Sequence, residues 1–110
     1  MEVSEYKVEI YIPEDYVEEM RRQLNAIGVL KVGDYDNVVS TTKVTGYWRP
    51  LENAKPFGGK IGELHYRSEC KMELRCNSLL IREALKKIRE IHPYEEPIVN
   101  VLPLMNTNWG

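Results

Sequence analysis

The residues best equipped for chemistry lie in two segments of the chain. The first is His92-Pro93-Tyr94-Glu95-Glu96-Pro97, an imidazole followed by two adjacent carboxylates on a backbone that prolines stiffen. Nitrogen and oxygen donors so close together suit a small polar ligand or a divalent cation, with His92, Glu95 and Glu96 as donors. A metal wants a further ligand, and His65 is the other histidine of the chain and the obvious imidazole for that role. The plainer alternative is a helix terminus. His92 then lies where the helix dipole favours a protonated ring, Tyr94 packs, and the acids are solvated or paired. The second segment starts with Gly33-Asp34-Tyr35-Asp36, continues through Thr41-Thr42, and closes with Gly46-Tyr47-Trp48-Arg49-Pro50. Gly33 and Gly46 permit close approach to a backbone, and Arg49 can meet a carboxylate or phosphate bidentately. The alternative here is a turn and a strand end in which Arg49 pairs with one of the many acids.

Other chemistries are missing their signatures. There is no Gly-x-Gly-x-x-Gly and no Walker-type loop, and Gly58-Gly59-x-x-Gly62 is too short and lacks a following helix. No His-x-x-x-His, serine elbow or Cys-x-x-Cys occurs, so a complete hydrolytic or metal-dependent centre within one chain is not expected, and no residue is assigned as catalytic. Cys70 and Cys76 lie on an alternating stretch, Cys-Lys-Met-Glu-Leu-Arg-Cys. As a strand it holds them roughly 20 Å apart, beyond the ~7 Å reach of a disulfide, so two reduced core thiols are expected. Fifteen Lys and Arg stand against 17 Asp and Glu, a net charge of −2, which disfavours a nucleic-acid binder. Tyr47 and Trp48 are adjacent on a strand and point to opposite faces, so they cannot form one base-stacking platform. No apolar run approaches the roughly 20 residues that span a bilayer, and the N-terminus lacks signal-peptide order. A cytoplasmic protein with no membrane partner is the expectation.

The elements that must position these residues follow from periodicity. Residues 5 to 12 alternate, with Tyr6, Val8, Ile10 and Ile12 on one face and Lys7 and Glu9 on the other. Pro13 ends that strand. Val17, Met20, Leu24 and Ile27 then recur at helical spacing until Gly28. Asp36 to Trp48 is a run of strand formers, apolar on both faces, so this strand is expected to be covered twice. Arg49 to Gly62 has no period and is long for a loop, which points to function or an assembly arm. A third strand covers about residues 66 to 76, with Cys70, Met72, Leu74 and Cys76 inward and Lys71, Glu73 and Arg75 outward. Asn77 or Ser78 caps a second helix with the stripe Ile81, Ala84, Leu85, Ile88 and Ile91. Ile98 to Leu102 forms a last strand between prolines, suited to a sheet edge. The tail from Met105 to Gly110 is polar apart from Trp109. The order βαββαβ is the α+β, ferredoxin-like plan: one domain, residues 1–110, with a four-stranded antiparallel sheet and two helices on one face. The uncovered face, mixed in charge at its centre and apolar at its flanks, suits contact between subunits.

Gly33-Asp34-Tyr35-Asp36 through Thr42, Gly46, Arg49-Pro50, Ala54, Pro56-Phe57, Gly59 and Gly62-Glu63-Leu64, with His92-Pro93-Tyr94-Glu95-Glu96-Pro97, together resemble one known domain. It is the small domain inserted in bacterial proteins of the NGG-interacting-factor-three family, dinuclear-metal proteins often labelled GTP-cyclohydrolase-like. The resemblance runs from about Tyr6 to Leu104. His92-Pro93-Tyr94-Glu95 is also similar to a segment of CutA, the divalent-cation-tolerance protein, and both groups resemble the trimeric PII proteins. The resemblance implies a CutA/PII-like homotrimer without the catalytic halves that carry the family's metal pair. It implies a non-catalytic module that binds a small ligand or protein partner in clefts between subunits, through Tyr35, Arg49, His92 and Glu95. The alternative it offers is a divalent-metal binder that uses His92, Glu95, Glu96 and His65; no other cofactor is implied. Val38 and Val44 stand where the family usually has cysteine and glycine, so a contact that needed those residues is absent here.

Overall fold

Alternation and helical stripes build a sheet backed by a helical layer. The structure, a computed structural model, describes residues 3–105, so residues 106–110 of the tail, Trp109 among them, lie outside the described residues. Strand β1 (Glu5–Pro13) passes through a 3-10 turn (Glu14–Tyr16) into helix α1 (Val17–Ala26). Strand β2 (Ser40–Trp48), strand β3 (His65–Asn77), helix α2 (Ile81–Ile91) and strand β4 (Val99–Pro103) follow. All pairings are antiparallel and the order is β2-β3-β1-β4, which puts β1 and β3 at the centre with two helices on one face. The fold is α+β with CutA/PII-like ferredoxin topology.

The core is the inward set of the central strands against the helical stripes. Val8, Ile10, Ile12, Met72 and Cys76 are wholly buried beside Met20 and Leu24 of α1 and Ala84 and Ile88 of α2. Cys70 and Cys76 are both buried and unbonded. Gly28, at φ +83°, ends the α1 region, and Val29 and Leu30 fold back into the core.

Three expectations need correction. β2 begins at Ser40 instead of Asp36, because Asn37 takes φ +56° and its N–H donates to Asn25 Oδ1 at 2.8 Å. Nor is β2 covered twice. It is a mostly exposed edge strand of a hairpin that runs past the helical layer. The 13-residue β3 alone is about 43 Å long at ~3.3 Å per residue. Accordingly the longest dimension is 52 Å and the radius of gyration 15.6 Å, against about 13 Å for a compact chain of this length. Finally, neither Asn77 nor Ser78 caps α2. Leu80 is the N-cap without a side-chain bond, and Asn77 Oδ1 instead accepts the Leu79 N–H at 2.8 Å in the preceding turn.

On the uncovered face, Glu9 and Glu73 stand directly opposite each other across β1 and β3. Two lysines bridge this repulsive pair: Lys7 at 2.7 Å from Glu73 and 3.4 Å from Glu9, and Lys71 at 3.4 Å from Glu9 and 3.8 Å from Glu73. Lys7 holds the Glu73 carboxyl below its ordinary range, and Asn100 together with the two lysines does the same for Glu9.

Candidate functional site

Residues 49–64 form neither helix nor strand and fold back at the far end of the β2–β3 hairpin. Gly62 N–H donates to Pro50 O at 2.7 Å and closes the loop, and Trp48 Nε1–H donates to Gly58 O at 3.1 Å. Lys60 N–H donates to His65 Nε2 at 2.8 Å, and the His65 ring lies 5.6 Å from the Trp48 indole. Gly59, at φ +91°, must be glycine here, since a Cβ would come within 2.6 Å of that imidazole. The tip of the loop is fastened to the His-Pro-Tyr-Glu-Glu-Pro segment. Lys55 N–H donates to Glu95 Oε1 at 3.0 Å, and Phe57 packs against Tyr16 and Tyr94 at centroid distances of 6.3 and 5.8 Å.

His92 secures the segment on the other side. Its backbone N–H closes α2 on Ile88 O at 2.9 Å, while the ring turns inward to Tyr11 O, 2.6 Å from Nε2. Because Tyr94 N–H donates to Nδ1 at 3.2 Å, the proton belongs on Nε2, which donates to Tyr11. Burial pushes the His92 pKa below the ordinary imidazole value, outweighing the Tyr11 carbonyl and the Glu69 carboxylate, which both favour the charged ring. The expectation that the helix dipole protonates this ring is therefore overturned by desolvation.

A pH dependence follows. The folded protein holds His92 neutral below the unfolded pKa of about 6.5, so the unfolded chain binds more protons as pH falls through that value. Stability is fully present above about pH 6.5 and declines from there toward the depressed folded pKa. Glu9 and Glu73 add a separate loss that begins as pH falls into the ordinary carboxylate range and continues toward their depressed folded values. The melting temperature of the wild type should thus fall as pH drops below about 6.5, and that of His92→Gln should stay flat until the ordinary carboxylate range is reached. Parallel curves for the two proteins would exclude His92 as the origin.

Glu69 occupies the floor of the site. It is only 6% exposed, although it lies on the uncovered face of β3, and Tyr94 Oη–H donates to its Oε2 at 2.5 Å. Burial and this carboxylate push the Tyr94 hydroxyl up to about 12. The space Glu69 fills exists because residue 46 has no side chain: a Cβ there would lie 1.8 Å from Glu69 Oε1. Between the loop, the sheet and the Tyr94 segment opens a cleft of about 450 Å³. Tyr11, Trp48, Phe57 and Tyr94 supply its aromatic walls, and Glu69 lines it from below.

Of the residues singled out in the sequence, Arg49, Glu95 and Glu96 line this one cleft. His92 lies behind its wall with both ring nitrogens engaged by main-chain groups. His65 braces the base of the loop against Trp48 and is 3.7 Å from Glu63. Tyr35, 76% exposed, sits in the Val32–Tyr35 turn before β2, on the order of 25 Å of strand from Trp48. Among the described residues no three His, Cys, Asp or Glu side chains converge as a metal site requires, so His65, His92, Glu95 and Glu96 do not form one donor set. Sequence reasoning missed Glu69, Tyr94 as its partner, and Phe57. The available signal was Gly46, since a glycine inside a strand marks close approach.

No family profile matches the chain. Sequence comparison finds a GTP cyclohydrolase 1 type 2 homolog from Halalkalibacterium halodurans, 31% identical over 103 residues, or 94% of this chain and 28% of that protein. The crystal structure of a Bacillus cereus protein related to NIF3 superposes with a TM-score of 0.81 at 29% identity, covering 94% of this chain and 26% of the other. The divalent ion tolerance protein CutA1 from Ehrlichia chaffeensis superposes with a TM-score of 0.69 at 18% identity, covering 99% and 89%; that likeness concerns the fold. The chain spans about a quarter of the length of the curated relatives it matches. Taken with the sheet order and the loop that closes over it, these matches make the chain a small domain related to the NIF3/GTP cyclohydrolase 1 type 2 family.

Proposed function

We propose that the chain is a non-catalytic binding module that assembles as a homotrimer and takes a small ligand in the cleft beneath the 49–64 loop. The observation that carries this reading is the cleft itself. Its 450 Å³ falls within the range of small-molecule sites, and its two walls are fastened together by Lys55 and Glu95. Arg49 and Glu95 contribute polar groups at its margin, and His92 acts by fixing the Tyr94 segment. Tyr35 joins such a site only as a neighbouring copy's contribution. Against a catalytic role, both nitrogens of His92 are engaged, and a Tyr94 hydroxyl near 12 stays protonated at neutral pH. Among the described residues no helix is long and apolar enough to cross a membrane. The cytoplasm is the location we favour.

The uncovered sheet face supports assembly. Around the Lys7–Glu9–Lys71–Glu73 quartet lie Ile98 and Leu102, 57% and 42% exposed. Native mass spectrometry should give a trimer, and a monomer at micromolar concentration would sink that half of the reading. Glu73→Lys sets three lysines around Glu9, so it should weaken association by at least about tenfold while shifting the monomer's melting point little. Equal losses of association and folding would place that face in the core of the subunit. For the ligand, amide shifts of Trp48, Arg49 and Glu95 should move when ring-bearing fragments are titrated. If no fragment of any charge moves them, the cleft is not a binding site. A chelator-sensitive mass of one divalent ion per subunit would replace the organic ligand with a metal.

A further inference from the structure

We propose that the ligand selected by this cleft is an organic cation, an alkylated ammonium or guanidinium group seated among the aromatic walls above Glu69; this rests on the cleft being a ligand site. The first argument is what the walls offer. The Trp48 N–H is committed to Gly58 O and the Tyr94 hydroxyl to Glu69, so both residues present ring surface to a ligand instead of hydrogen bonds. Phe57 has only ring surface to give. Aromatic faces carry negative electrostatic potential and attract cations, most strongly where water is excluded. Within this fold Lys71 Nζ already stands 5.9 Å from the Tyr11 ring centroid, so a cation against one of these rings is an arrangement the chain itself uses.

The second argument is charge. Three carboxylates line the cleft, Glu69, Glu95 and Glu96, against the single guanidinium of Arg49. Glu69 is the informative one. It is 94% removed from solvent by its 6% exposure, one of its oxygens accepts from Tyr94, and the other lies above Gly46 in the cleft floor. A buried carboxylate in an aromatic setting is costly unless a positive partner compensates it. Arg49 is exposed at the mouth, where solvent and salt screen it. Lys71 is occupied by Glu9 and Glu73, and Arg67, two residues along the same face of β3, acts on the Tyr94 hydroxyl but makes no ion pair with Glu69 among the described residues. A hard inorganic cation does not suit the walls, because rings cannot replace the oxygen ligands such an ion demands. A large, weakly hydrated organic cation does.

The test uses the full chain, choline, and 3,3-dimethylbutan-1-ol, which has the same shape without the charge. Amide shifts of Trp48, Phe57 and Glu69 report binding. Choline should bind at least about tenfold more tightly than the neutral alcohol. Glu69→Gln keeps an acceptor for Tyr94 and should abolish most of that preference. Phe57→Leu keeps apolar volume without a ring, and should weaken choline binding while leaving the alcohol unchanged. It decides the matter if Glu69→Gln does not fold. Equal affinities for choline and the alcohol would overturn the proposal, as would choline binding that neither variant alters. If benzoate or indole moves the same amides and choline does not, the cation proposal fails and the binding-module reading stands. If nothing moves them, both fail.

Discussion

Gly46→Ala should destabilise the protein by about 2–4 kcal/mol, far more than a glycine-to-alanine change on an ordinary edge strand. The added Cβ would lie 1.8 Å from Glu69 Oε1 and 2.8 Å from its Cδ. The carboxylate must therefore leave, although it is the end of a flexible side chain, and its departure breaks the 2.5 Å bond from Tyr94. The half-buried Tyr94 hydroxyl then loses its partner and a charge is pressed among aromatic rings. Urea denaturation measures the cost. The same change made in a Glu69→Ala background should cost less than about 1 kcal/mol, because the atom it collides with is gone. A cost independent of Glu69 would mean that the strand backbone, not the carboxylate, is what alanine disturbs.

Ile10→Ala should cost about 4 kcal/mol, in the upper part of the range for such truncations. Ile10 is wholly buried on β1, between Met72 of β3 and Val99 of β4 in the strand register. A strand hydrogen-bonded on both sides has little freedom to collapse into the cavity. Against a total stability of about 5–15 kcal/mol for a domain, that loss should bring the variant close to unfolding at ambient temperature. Leu85→Ala on the half-buried side of α2 should cost clearly less, and reversed magnitudes would mean that α2 carries more of the core than the sheet centre does.

These two positions also mark what the sequence made legible. Ile10 was readable from alternation alone, because a half-covered sheet writes its core as a period of two. The same rule located Met72 and both cysteines, and helical spacing located Met20, Leu24, Ala84 and Ile88. Gly46 was readable as a place of close approach, but what approaches it was not. Glu69 falls on the outward phase of β3, which in isolation reads as solvated. It is buried only because a segment 25 residues later returns over the sheet and a loop closes beside it. His92 failed for a similar reason. Local sequence puts it at a helix end, while its charge state is set by Tyr11, 81 residues away. Asn77 was misread because its side chain bonds the turn before α2 instead of the helix itself. Local periodicity fixes faces and elements; the site depends on groups that meet only after the chain has closed.

The register of the two strands at the sheet's end has an architectural consequence. Tyr6 of β1 is paired with Pro103 of β4, and Leu104 N–H donates to Glu5 O at 3.0 Å. The described chain enters and leaves the fold at neighbouring points, at the same end of two paired strands. A host protein can therefore carry this unit on a single surface loop, since inserting it hardly stretches the polypeptide on either side. Relatives nearly four times as long as the matched region have room for such an arrangement.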